Sequence, residues 1–130
     1  MDEIKLLYKE AVDLLKQLIT IPSFSKEEDQ TADCIAQFFN KKQIPYNRVG
    51  NNIWASNLYF DINKPTILLN SHHDTVKPNS GYQLNPFDPL IKDGKLFGLG
   101  SNDAGGCLVS LLACFVYYYN KPSLAFNLII

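Results

Sequence analysis

Leu68-Leu69-Asn70-Ser71-His72-His73-Asp74-Thr75-Val76 is the stretch on which the fold turns. Thr66 to Ser71 is short, continuously apolar and β-branched at its start, which predicts a central buried strand. The run ends abruptly in His72-His73-Asp74. Side chains two apart on a strand point the same way, so His72 and Asp74 face one side and His73 the other. Downstream, residues 77 to 95 hold Pro78, Gly81, Pro86, Pro89 and Gly94 and read as a long ordered loop, a length that in compact domains usually serves function. Beyond it, Asp103 to about Tyr119 reads as a helix, with Leu124 to Ile130 as a further apolar strand.

Upstream, Ile4, Leu7, Ala11, Leu14, Leu15 and Leu18 recur at three- and four-residue steps, predicting an amphipathic helix from about residue 2 to 19, stopped by Pro22. Ser25-Lys26-Glu27-Glu28 reads as a capping box opening a second helix from about 26 to 42, with Ala32, Ile35, Phe38 and Phe39 inward. Tyr46–Val49 and Asn52–Leu58 are strand candidates joined at Gly50-Asn51. The order helix, helix, hairpin, strand, loop, helix, strand predicts an α/β layered domain with a mixed, largely parallel central sheet flanked by helices. A hydrophobic strand left as an edge is a liability, so Ile130 reads as an internal cut in a longer chain.

At 130 residues, 46% hydrophobic and 19% charged, the chain fits one globular domain with its own core. A net charge of −1 gives no broad attraction to nucleic acid or to an anionic membrane. No apolar run reaches the roughly 18 residues of a membrane span, and the acidic start Met1-Asp2-Glu3-Ile4-Lys5 is unlike a signal peptide. Cys34, Cys107 and Cys114 show no paired spacing and read as buried reduced thiols of a cytoplasmic protein. Cys107 and Cys114 would lie about 10 Å apart along a helix, too far to bridge. Trp54 reads as a strand residue and Tyr117-Tyr118-Tyr119 as the amphipathic end of a helix.

Taken alone, His72 reads as a satisfied polar residue at a strand end. Its position there, with Asp74 two residues on and a long loop following, favours a site, because ligands of open α/β sheets collect at the carboxyl ends of strands. An imidazole whose second nitrogen is held by a carboxylate is a pairing that metal sites use, since the carboxylate fixes the tautomer. A second acid, Asp103, lies in the glycine-rich turn Gly98-Leu99-Gly100-Ser101-Asn102-Asp103-Ala104-Gly105-Gly106. This is not a dinucleotide fingerprint: Asp103 replaces the third glycine and would repel a pyrophosphate. Asn102 or Asp103 could instead cap the following helix.

Together, Leu68–Pro78 and Pro86-Phe87-Asp88-Pro89 through Gly106 resemble the co-catalytic zinc deacylase and exopeptidase family, which includes acetylornithine deacetylases, succinyl-diaminopimelate desuccinylases and aminoacylases. Leu18-Ile19-Thr20-Ile21-Pro22-Ser23 is similar to that family's exit from its first helix, and Asn70–Pro78 is most similar to the acetylornithine deacetylase branch. The resemblance implies that His72 binds one zinc, that Asp74 acts in catalysis by orienting His72, and that Asp103 bridges two zincs. It implies a cis Asp103–Ala104 peptide, open in so short a chain to relaxing to trans. It makes residues 1–130 the N-terminal part of a single zinc-hydrolase catalytic domain, without the dimerisation domain and the C-terminal catalytic part.

The intact enzyme would be a cytoplasmic homodimer carrying two zinc ions, replaceable by cobalt. It would act on a small N-acylated amino acid in arginine biosynthesis, with no nucleic-acid or membrane partner. The chemistry is coherent, because amide hydrolysis at neutral pH needs a nucleophile and a metal lowers the pKa of bound water toward about 7. The family's Glu-Glu pair, one general base and one ligand, is expected just after Leu124–Ile130 and is not in this sequence. Catalytic zinc sites usually need three protein ligands. The expectation is therefore that this chain alone binds zinc weakly and hydrolyses nothing measurable. A desuccinylase or dipeptidase of the same family, or a non-catalytic α/β binding module, stands as the alternative.

Overall fold

The computed structural model describes residues 2–130; Met1, part of the N-terminal reading, lies outside them. Helix α1 spans Glu3–Thr20 and is opened by Asp2, whose side chain accepts from the Ile4 N–H at 3.3 Å. Its buried stripe, Leu7, Leu14, Leu15, Leu18 and Ile19, follows the helical period that the sequence shows. Helix α2 spans Asp29–Lys41 and buries Ala32, Ile35 and Phe39. Strands β1 (Asn47–Val49) and β2 (Asn52–Trp54) form an antiparallel hairpin, with Gly50 at φ 59° supplying the left-handed turn.

Strand β3 (Thr66–Leu68) pairs in parallel with β6 (Asn127–Ile129). Between them lie the hairpin β4 (Leu90–Lys92) and β5 (Lys95–Phe97), a wide turn over Ser101–Gly105, and α3 (Gly106–Tyr118). The helices pack against β6 through Leu128, giving the α/β layering expected. The core joins α1, α2, α3 and Leu128. At its centre Phe39 and Phe115 meet edge to face, ring centroids 6.3 Å apart.

Several expectations are corrected. The last strand is an interior one: Ala55 and Ile130 exchange backbone hydrogen bonds at 3.0 Å and Asn57 N–H reaches Leu128 O, while β3 lies on its other side. Asn127 and Leu128 are accordingly buried. Strand β3 ends at Leu68 rather than Ser71 and is an exposed edge, with Ile67 44% and Leu68 64% exposed. An apolar run reports burial only when a neighbouring element covers it, and among the described residues none covers this one. The long loop ends at Pro89, because Asp93 and Gly94, both at positive φ, turn a hairpin there. The helix expected from Asp103 begins at Gly106, since Asp103 and Ala104 have non-helical backbone. Only Cys34 of the three cysteines is buried; Cys107 and Cys114 lie on the exposed face of α3.

Candidate metal centre

Asp103 reaches His72 because the backbone of its turn packs unusually close to neighbouring elements. Gly100 sits at φ 75°, and a Cβ there would stand 2.6 Å from Thr75 Cγ2. A Cβ on Gly105 would stand 2.6 Å from both the Gly100 carbonyl oxygen and Leu15 Cδ1. The Gly105 N–H closes the turn on Gly100 O at 2.8 Å. Neither Asn102 nor Asp103 caps α3, whose N-cap is Gly105 with no side-chain bond. The Asp103–Ala104 peptide is cis. The Asp103 side chain faces outward and is 88% exposed.

His72 stands between two carboxylates. Its Nδ1 lies 3.0 Å from Asp74 Oδ1 and 3.2 Å from the Asp74 carbonyl oxygen, and its Nε2 lies 3.1 Å from Asp103 Oδ1. Both partners of Nδ1 are acceptors, so Nδ1 carries a proton. Partial burial works against the imidazolium, but the Asp74 carbonyl, Asp103 and the Asp74 carboxylate outweigh it and hold the His72 pKa above its ordinary value. Asp74 is held below the usual carboxylate range, first by the Ser25 hydroxyl, which donates to Oδ2, and then by His72.

His73 faces away from this pair. Its Nδ1 meets Thr31 Oγ1 at 2.8 Å and its Nε2 meets the Asn51 carbonyl at 3.0 Å, tying the strand end to α2 and to the β1–β2 turn. Beside these residues opens a cavity of ≈ 340 Å³ whose lining includes Trp54, Leu68, Asn70, His72, Leu108 and Ile130.

Sequence reasoning placed His72, Asp74 and Asp103, and the structure brings all three together. It missed Ser25, Thr31 and Asn51. The Ser25-Lys26-Glu27-Glu28 pattern predicts a helix cap at Ser25, yet α2 is capped at Glu28 with no side-chain bond, and Glu28 instead accepts from the Lys26 N–H at 2.9 Å. No local pattern signals that a serine will meet an aspartate forty-nine residues away.

The donors suit zinc. Two ligands at about 2.05 Å in a tetrahedron stand about 3.3 Å apart, close to the 3.1 Å between His72 Nε2 and Asp103 Oδ1. Imidazole nitrogen and carboxylate oxygen are both ordinary zinc donors. Among the described residues no group of three or more His, Cys, Asp or Glu side chains forms a metal-binding cluster, because Asp74 is turned to the far nitrogen of His72.

Residues 68–129, which hold all three side chains, match the model of Peptidase family M20/M25/M40. The chain is 33% identical over 116 residues to a succinyl-diaminopimelate desuccinylase of Buchnera aphidicola, an alignment covering 84% of this chain and 30% of that protein. It is 31% identical to an uncharacterized metallohydrolase of Methanocaldococcus jannaschii, covering 94% of this chain and 35% of that one.

Among solved structures, an M20 family metallo-carboxypeptidase from Sulfolobus solfataricus shares the fold at a TM-score of 0.73 and 22% identity, over 92% of this chain and 29% of its own. Human carnosine dipeptidase 1 does so at 0.72 and 21%, over 98% and 32%. Residues 68–129 thus match the M20 family model, and the chain shares its fold with the catalytic domains of solved M20 peptidases. The chain spans about a third of the length of the curated relatives it matches.

Proposed function

We propose that this chain is the N-terminal part of the catalytic domain of a zinc-dependent amidohydrolase that removes an N-acyl group from an amino acid. The observation that supports it is His72 held between Asp74 at 3.0 Å and Asp103 at 3.1 Å. In this reading His72 Nε2 and Asp103 would hold zinc, and Asp74 would fix the ring so that Nε2 presents its lone pair. Bound zinc would activate a water near neutral pH and polarise the scissile carbonyl. Amide hydrolysis also requires a proton to reach the leaving amine, a task to which a carboxylate is suited.

For the substrate, the resemblance of Asn70–Pro78 to acetylornithine deacetylases is one guide and the desuccinylase relative another. The second carries an alignment over most of the chain, so an N-succinylated diamino acid is the first compound to try, with N-acetylornithine and a dipeptide beside it. A whole enzyme of this kind would be a cytoplasmic homodimer.

Zinc titration of the 130-residue chain by calorimetry tests the reading. Weak binding that disappears in His72→Ala, with no turnover of any of the three compounds, is the expected result. Zinc binding unchanged by His72→Ala would overturn it.

The exposed edge of β3 supports a second reading, a non-catalytic module that pairs with a partner strand through Ile67 and Leu68. Association abolished by a proline at Ile67, with zinc binding absent, would favour that module.

A further inference from the structure

We propose that Ser25 is a positioning residue for His72, acting through Asp74. The inference rests on the reading of His72 as a metal ligand and adds a residue to its support. The Ser25 hydroxyl donates to Asp74 Oδ2 while Asp74 Oδ1 takes the Nδ1 proton of His72. Without the first bond the carboxylate can rotate about its χ2, and Nδ1 then keeps only the Asp74 carbonyl oxygen at 3.2 Å while Nε2 still faces Asp103 Oδ1 at 3.1 Å, so the preference for the Nδ1 proton weakens.

Backbone register, rather than a chance side-chain encounter, sets this contact. The segment after α1 runs beside the strand end as a parallel bridge, Phe24 opposite Thr75. The Thr75 N–H donates to Ser23 O at 2.8 Å, and the buried Ser23 hydroxyl donates to the His73 carbonyl at 2.9 Å. These two bonds lock the frame in which Ser25 faces Asp74. Lys26 follows at φ 75°, turning the chain away into α2, so Ser25 is the last residue that this register carries alongside the strand end. Its hydroxyl is not spent on the helix, since α2 has no side-chain cap bond. Ser25 is exposed, so a slightly larger hydroxyl side chain can be accommodated there.

The test reads the His72 ring directly in the metal-free 130-residue chain, by long-range 1H–15N correlation at about pH 9, above the range where histidine ordinarily titrates. In the unsubstituted chain the neutral ring is expected to carry its proton on Nδ1. In Ser25→Ala it is expected to shift to a mixture with Nε2–H, while Ser25→Thr keeps the Nδ1 form. Circular dichroism establishes that each variant folds, and Ser25→Cys, close in size with a weak donor, repeats the test should the alanine variant unfold. An Nδ1 form that persists in Ser25→Ala or Ser25→Cys overturns the proposal, as does an Nε2–H ring in the unsubstituted chain.

Zinc titration separates this from the parent reading. Zinc binding lost on His72→Ala together with an unmoved tautomer in Ser25→Ala would sink the role of Ser25 alone. A moved tautomer without zinc binding would keep Ser25 as the positioner and sink the metal reading.

Discussion

His72 Nε2 and Asp103 Oδ1 lie 3.1 Å apart across thirty-one residues of chain. Gly100, at φ 75° and without a Cβ, lets the turn that carries Asp103 settle against Thr75. Gly100→Ala is therefore expected to separate the pair without removing a donor. An L side chain in the left-handed region costs about 1–2 kcal/mol, and the Cβ would meet Thr75 Cγ2 at 2.6 Å. Zinc affinity should fall at least as far as in Asp103→Asn, with urea unfolding reporting the stability loss; unchanged affinity would show that the turn does not set the spacing.

Phe115 is fully buried and meets the Phe39 ring edge to face. Phe115→Ala opens a cavity where three helices converge and should destabilise the fold by about 3–5 kcal/mol. Chemical denaturation measures it, and a loss under about 1 kcal/mol would mean that the helices collapse into the gap.

Asn127 is a buried polar residue whose amide holds the 61–66 loop: Oδ1 accepts from the Asp61 N–H at 2.9 Å, and Nδ2 donates to the Asp61 carbonyl at 2.8 Å. Asn127→Leu should destabilise by about 1–3 kcal/mol, because similar volume is kept while those loop groups lose their partner. Amide exchange should quicken at Asp61 in particular.

The Asp61 carboxyl is held below the ordinary carboxylate range, first by the Asn63 backbone N–H and then by the Asn63 side chain and Lys64. A lowered folded pKa means that the unfolded chain binds the proton more readily. The contribution is then present above the ordinary value of about 4 and lost as pH falls through the folded value. Asp61→Asn should lower stability modestly at neutral pH, where that contribution is fully present, and flatten the acid limb of the stability–pH curve below about pH 4. A curve that keeps its slope would remove Asp61 from the acid response.

Burial pushes the Cys34 thiol above its ordinary pKa, while Cys107 and Cys114 are exposed. Thiolate is the reactive form, so alkylation of the folded chain should label Cys107 and Cys114 and spare Cys34 until urea is added. Mass spectrometry of the peptides checks this, and rapid native labelling of Cys34 would contradict its burial.

The sequence by itself determined what local periodicity and short-range chemistry encode. The stripes of α1 and α2, the Gly50-Asn51 turn, the α/β layering, and the pairing of His72 with Asp74 on one side and His73 on the other are all legible within a few residues. So was the choice of Asp103 as the third side chain, through its glycine-rich setting and the family resemblance. The Asp93-Gly94 turn is equally local, but the surrounding prolines mask it as loop.

Only tertiary structure decided which strands are covered. Leu68 and Leu128 sit in similar apolar runs, yet one is exposed and the other buried, because Ala55–Asn57 pairs with β6 and no described element covers the outer edge of β3. The same is true of Ser25. Its serine-x-x-glutamate pattern reads as a helix cap, and it became a partner of Asp74 because a backbone register between distant segments, which no local sequence window contains, placed the two side by side.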